Sequence, residues 1–161
     1  MSAQQQENIR IDGEDLHMSS CPSLPIEEGL VIKRGELDGW SSSLARGYLG
    51  SWEIKDGKFY LLKIEWPSFE IKDGKPRPIK TEGIYIMTAP SPLFAEWFSG
   101  TITITEGKQL KFSRVGFPRY EWERIIEIVN GIVQNIEIIN NTERAKKEGW
   151  RTLKDYSEDA L

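Results

Sequence analysis

Histidine and cysteine each occur once, as His17 and Cys21, in a chain of 161 residues. A structural zinc site draws three or four ligands from such side chains, so this chain cannot build one, and a lone cysteine has no internal partner for a disulfide. No apolar run approaches the ~18 residues that a membrane-spanning helix needs. The first thirty residues also lack the basic stretch followed by an apolar one that marks a secretory leader. The expectation is a protein of the reducing cytoplasm, without membrane association. Clustered lysine and arginine are scarce too, the longest cluster being Lys146-Lys147 beside Glu143 and Glu148. Binding to a nucleic-acid backbone requires more than that, so nucleic acid is not the expected partner. There is no P-loop, and Gly47-Tyr48-Leu49-Gly50 lacks the third glycine and the strand-to-helix setting of a dinucleotide fingerprint. No cofactor and no metal are expected.

What is present is ordinary globular composition, 39% apolar, 29% charged and 11% aromatic, enough for a single domain with its own core. The net charge of −4 is uneven: residues 1 to 40 carry −5 and the remainder +1. An acidic quarter keeps a protein soluble and also attracts basic partners.

Turn chemistry supplies the strongest local signals. Asp12-Gly13, Asp56-Gly57 and Asn130-Gly131 each lie between apolar runs and provide the two positive φ angles of a tight hairpin. A fourth pair, Asp73-Gly74, precedes Pro76-Arg77-Pro78 and predicts a loop or edge segment, because proline cannot donate to a ladder. Alternation predicts strands at Ile84–Met87 and Thr101–Thr105, the latter turning at Glu106-Gly107-Lys108 toward Leu110-Lys111-Phe112. Two segments read both ways. Leu93, Phe94, Trp97 and Phe98 fit a helical stripe that would stop at Gly100. Trp122, Ile125, Ile126 and Val129 also show helical spacing, but the density of isoleucine and valine around Asn130-Gly131 favours a hairpin. Counting outward from its turn pairs Val129 with Ile132, Ile125 with Ile136, Arg124 with Glu137 and Trp122 with Ile139. Asn141-Thr142, the run Glu143 to Glu148 and Gly149 predict a short capped helix.

The expected architecture is therefore mainly β (α+β): an antiparallel β-sandwich or strongly curved sheet of eight to ten strands, closed by a short C-terminal helix. Residues 1–7 are expected to be a disordered N-terminus, 8–140 a single β domain, and 141–161 a helix and tail that pack on it or fray.

Catalytic sets are few. His17 and Cys21 on an extended segment would lie about 13 Å apart, too far for proton transfer unless Ser19-Ser20 bends. Any Ser-His-acid arrangement would have to use His17. Carboxylates remain: Glu121 and Glu123, on one strand face about 7 Å apart, have a spacing that glycoside chemistry could use, although alternating glutamates more often line a wet face. Glu96, beside Trp97 and Phe98, is an acid whose apolar surroundings would raise its pKa unless an arginine pairs it.

The most individual segment is Arg46-Gly47-Tyr48-Leu49-Gly50-Ser51-Trp52-Glu53-Ile54. On a strand, Arg46, Tyr48, Gly50 and Trp52 share one face: a rigid cationic fork, a hydroxylated ring, a gap and an indole. That row serves equally as a core stripe with Arg46 at its rim or as a face that stacks and donates to a ligand, with Trp40 overhanging it. Trp40, Arg46, Tyr48, Trp52, Trp97, Tyr120 and Trp122 are the candidate binding residues, since tryptophan, tyrosine and arginine are preferred interface anchors.

The segment from Arg46 to Ile54 with Phe59-Tyr60-Leu61, together with Ala95-Glu96-Trp97-Phe98-Ser99-Gly100 and Ile9-Arg10-Ile11-Asp12-Gly13-Glu14, resembles a family of small uncharacterised bacterial proteins. The resemblance spans residues 8 to about 135 and implies a bacterial, cytosolic, single-domain protein, with no activity attached. The acidic quarter, the six tryptophans and the want of catalytic sets make a non-enzymatic interaction protein, of the toxin-neutralising or effector-blocking kind, the first expectation. A module binding a small anion or nucleotide through Arg46 with Tyr48 and Trp52 is the second, and a carboxylate-based hydrolase the third.

Overall fold

In the computed structural model, residues 4–34, 46, 48–81, 85–113 and 117–155 are described, without the side chains of 66–71 and 76–81. Eleven strands and one helix run in the order β1 (Glu7–Ile11), β2 (Glu14–Met18), β3 (Val31–Lys33), β4 (Leu49–Lys55), β5 (Lys58–Lys72), β6 (Lys75–Thr81), β7 (Tyr85–Met87), β8 (Leu93–Phe94), β9 (Gly100–Lys111), β10 (Arg119–Val129), β11 (Ile132–Asn140) and α1 (Thr142–Glu148).

Asp12-Gly13, Asp56-Gly57 and Asn130-Gly131 each turn a hairpin with both residues at positive φ, as the sequence requires. Asp73-Gly74 does so as well, joining β5 to β6, and the prolines of β6 are accommodated because β6 pairs only with β5 and lies at an edge. The segment before Gly100 is neither the helix nor a long strand. Leu93-Phe94 pairs with Leu61 and Tyr60 of β5, and the chain then turns, the Phe98 amide donating to the Ala95 carbonyl at 3.1 Å. Its four large apolar side chains therefore serve packing against β5 instead of a helical face. At the C-terminus α1 forms over the expected residues and ends on Gly149 in the left-handed conformation, whose amide donates to the Ala145 carbonyl.

The strongly curved sheet closes on itself. β5, β4, β1, β2, β9, β10 and β11 are neighbours in that order, and Ile132 of β11 pairs back to Lys58 of β5, so seven strands form a barrel. The antiparallel expectation needs one correction: β1 and β4 run parallel, with Asn8 beside Ser51 and Ile9 beside Trp52. Thirty residues separate these two strands after the β1–β2 hairpin, long enough for the crossover that a parallel pair demands. β1 also begins at Glu7, inside the segment expected to be disordered, and the Gln6 side chain bonds to Ser19 and Thr105.

Alternation then sorts the side chains. Ile9, Met18, Trp52, Ile54, Phe59, Leu61, Ile102, Ile104, Ile126 and Ile128 are buried as one core, with Trp52 stacked on Phe59 at 4.8 Å between ring centroids. No helix among the described residues is long and apolar enough to cross a membrane.

Candidate functional site

Gly50 and Trp52 share the inward face of β4, whereas Arg46 and Tyr48 precede that strand and are half-buried. Trp52 is 1% exposed and Gly50 is buried. The gap at Gly50 is filled by a residue of the chain itself, the carboxylate of Glu7, which is fully buried. Register explains the meeting: the parallel pairing of Asn8 with Ser51 brings Glu7 beside Gly50. A Cβ at Gly50 would stand 2.6 Å from Glu7 Oε1 and 2.6 Å from Trp52 Nε1, so glycine is what lets the carboxylate in.

Only donors surround that carboxylate. The Gly50 amide donates to Oε2 at 2.6 Å, Arg46 Nη2 to Oε2 at 2.9 Å and the Trp52 indole to Oε1 at 3.2 Å. Burial pushes the Glu7 carboxyl above its ordinary pKa, while the Gly50 amide and the Arg46 charge pull it down. Arg46 Nη2 also donates to the Gln5 carbonyl at 2.8 Å, whereas its buried Nε and Nη1 carry no hydrogen bond. The guanidinium lies 5.7 Å from the Tyr48 ring centroid, within cation–π range. Burial, then the nearby Glu7 charge, drives the Tyr48 phenol far above its usual range, so it stays neutral. This cluster is an internal ion pair at one end of the core; its fork holds a carboxylate, but that carboxylate is the chain's own.

Trp97 belongs to the same neighbourhood, its ring 6.4 Å from Trp52 and its indole donating to the Ser23 carbonyl at 2.7 Å. Trp40 lies outside the described residues. Tyr120 and Trp122 sit apart on β10, with Tyr120 half-buried and Trp122 exposed. The candidate residues thus divide into a buried group around Glu7 and one on β10, where Trp122 continues, into solvent, the side of the strand that carries the core residues Ile126 and Ile128.

The second group is larger than the sequence suggested, because the β10–β11 register is not the one obtained by counting from the turn. Val129 pairs with Ile132 as expected, but a bulge falls between Glu127 and Ile128, leaving Gln134 unpaired. Beyond it Ile126 faces Ile136, Arg124 faces Ile138 and Trp122 faces Asn140. The one-residue shift exchanges the faces of β11, so that Ile136 and Ile138 share a face with Trp122 and Arg124. Trp122, Ile136 and Ile138 are 38%, 52% and 64% exposed.

Acidic groups rim this apolar face. Arg124 grips Glu106 through two hydrogen bonds, at 2.9 and 2.6 Å, which lower the Glu106 pKa and raise that of Arg124. The charges of Glu14 and Asp12, in the β1–β2 hairpin, add to the rise at Arg124.

The catalytic candidates do not assemble. Glu123 is buried and committed to Arg119, 2.7 Å away, and to the Asn141 amide, which removes it from any pairing with Glu121. Glu96 is exposed on a turn. Desolvation raises the Cys21 thiol, which disfavours the nucleophilic thiolate. His17 lies on the outer wall of the barrel, in an open groove of about 330 Å³ with Asn8, Arg10, Ser51 and Lys63. The cations of that groove are spent on Asp15 and Glu65. Among the described residues no three His, Cys, Asp or Glu side chains converge as a metal site. No protein-family model, curated protein or solved structure matches the chain.

Proposed function

We propose that this is a non-enzymatic protein-binding protein, of the toxin-neutralising or effector-blocking kind, which docks its partner on the Trp122–Ile136–Ile138 face of β10 and β11. The observation that carries the reading is the exposure of those three side chains where the core-lining side of β10 and β11 runs past Ile126 and Ile128 into solvent. A grouped apolar patch with a polar rim marks an interaction surface, whereas singly scattered exposed residues do not. Tryptophan, here at one end of the patch, is a preferred hot-spot residue. The rim, formed by Asp12, Glu14 and Glu106 with Arg124 already neutralised, favours a partner segment that combines apolar side chains with lysine or arginine. The bacterial, cytosolic setting belongs to the same proposal and is motivated by the motif resemblance. The small-anion reading of Arg46 is weaker, because the fork is occupied by Glu7.

Selection from a displayed random-peptide library on the folded protein, immobilised at low density, tests this. The expected winners are extended peptides with apolar residues at alternate positions and at least one Lys or Arg. Their affinity should drop at least ~10-fold on Ile138→Glu or Trp122→Ala, the ~1.4 kcal/mol or more of a modest hot spot. Failure to enrich, or winners that bind Ile138→Glu as tightly as the parent, would overturn the proposal.

A further inference from the structure

We infer that, when no partner is bound, the edge of the docking face is paired with a second copy of the chain, the two β11 strands running antiparallel about a two-fold axis at Ile138. The inference rests on the docking surface above and states how that surface is kept when unoccupied.

The backbone of β11 is the first ground. The Asn141 amide donates to the Glu121 carbonyl at 2.9 Å, so along this strand the amides of Asn141, Ile139 and Glu137 point toward β10. Those of Ile136, Ile138 and Asn140 point the other way. Among the described residues the outer side of β11 is engaged only at its start, where Ile132 pairs with Lys58 and the Val133 amide donates to the Gly57 carbonyl. From Ile136 to Asn140 a row of outward amides and carbonyls remains.

Sequence is the second ground. Edge strands are usually blunted by lysine, proline or an inward charge, because an unpaired edge is a template for another strand. Ile132–Asn140 contains neither lysine nor proline and one charge, Glu137, whose side chain lies on the opposite face from the exposed isoleucines. An unblunted apolar edge that paired heterologously would propagate; a two-fold pairing closes after two copies.

The single charge then selects the register. An axis at Glu137 would set that carboxylate against its own copy, which is destabilising. An axis at Ile136 would bring Asn140 of the second copy to Ile132, which Lys58 already occupies. An axis at Ile138 avoids both. It sets Ile138 opposite Ile138 of the second copy, Ile136 opposite Asn140 and Glu137 opposite Ile139, and it keeps outward backbone groups facing outward ones. The isoleucines of both copies then pack side by side in one continuous stripe between the two Trp122 side chains.

Sedimentation of the full chain across a wide concentration range is the test. The expected result is a dimer that dissociates on dilution. Ile138→Lys alone and Ile138→Glu alone should each be monomeric, since like charges meet at the axis, and an equimolar mixture of the two should recover a dimer. Ile136→Pro, which removes an outward amide and no bond to β10, should also be monomeric with an unchanged circular dichroism spectrum. A parent that stays monomeric at the highest concentration, single-charge variants that remain dimeric, or a mixture that fails to reassociate would each overturn the inference. The two proposals fail separately: a monomeric parent whose selected peptides still require Ile138 ends the self-pairing alone, and a dimer whose peptides ignore Ile138 ends the docking reading.

Discussion

Glu7 shows how one side chain decides what a neighbouring motif is for. An ionised carboxylate taken out of water costs several kcal/mol unless donors replace the lost hydration. Here the Gly50 amide, Arg46 and the Trp52 indole do so. Glu7→Gln presents an amide NH2 or a single oxygen to groups that only donate, and leaves Arg46 without its counter-charge. The expected cost is about 3–5 kcal/mol, read as a fall in the denaturant midpoint at constant slope; a loss under about 1 kcal/mol would mean that the pair is not the anchor its geometry indicates. Its pH dependence has a definite sign. Because burial raises the carboxyl above its ordinary value of 4.5, the native state holds a proton over a pH window in which the unfolded chain has released it. This group's contribution to stability therefore falls as pH climbs from 4.5 through the raised native pKa, then levels off. A carboxyl-carbon NMR titration should place the Glu7 midpoint above 4.5, and a midpoint at or below that value contradicts the reading. Of the row expected from alternation, Gly50 and Trp52 lie on β4, while Arg46 and Tyr48 precede the strand. The carboxylate they hold was not legible, because Glu7 lies 39 residues from Arg46 and meets it only through a parallel pairing that no local pattern encodes.

Elements whose shape is set within a few residues were the legible ones. The three predicted turn pairs, the alternation of β9 over Thr101–Thr105 and the Gly149 stop of α1 all follow from local backbone preferences, whereas the turn expected at Glu106-Gly107-Lys108 does not form, β9 running on through it to Lys111. The bulge in β10–β11 follows from none of them, since what it gains is the fit of inward Ile126 and Ile128 to the core, a tertiary matter. It also explains why the docking face was missed: unbulged counting puts Asn135, Glu137 and Ile139 on the face that in fact carries Ile136 and Ile138. Deleting Gln134 tests the assignment. With the extra residue gone, Val133 remains opposite Ile128, Asn135 opposite Glu127 and Ile136 opposite Ile126, and the ladder becomes regular. The expected outcome is a folded protein within about 1 kcal/mol of the parent, with cross-strand NOEs from Ile126 to Ile136 intact. If β11 were not bulged at Gln134, the deletion would slip every later side chain to the opposite face, and those NOEs would disappear.

At the scale of the molecule, closure depends on a narrow seam that unites three distant segments. Phe59 donates to the Gly131 carbonyl at 2.8 Å, Gly131 to the Phe98 carbonyl at 2.9 Å and Ala95 to the Phe59 carbonyl at 2.8 Å, tying the β10–β11 turn to β5 and to the turn after β8. Such contacts join residues about thirty to seventy apart, so sequence periodicity could suggest a curved sheet without showing that it closes. Two glycines separate the local requirement from the global one. Gly57 and Gly131 both end two-residue turns, at φ 73° and 77°. Around Gly57 there is nothing within 4 Å of an added Cβ, whereas at Gly131 that atom would lie 2.7 Å from the Ala95 carbonyl oxygen and 2.8 Å from a Phe94 ring carbon. Gly57→Ala therefore carries only the left-handed backbone penalty of about 1–2 kcal/mol. Gly131→Ala carries the same penalty and must also push the seam apart, for a further ~1–3 kcal/mol. The corresponding expectation in hydrogen exchange is loss of protection at the Phe59 and Ala95 amides in Gly131→Ala, with the amides of β1 and β2 across the barrel unaffected until global unfolding. Equal losses in the two variants would mean that the seam yields at no cost, and that the seven strands form an open curved sheet whose ends merely touch.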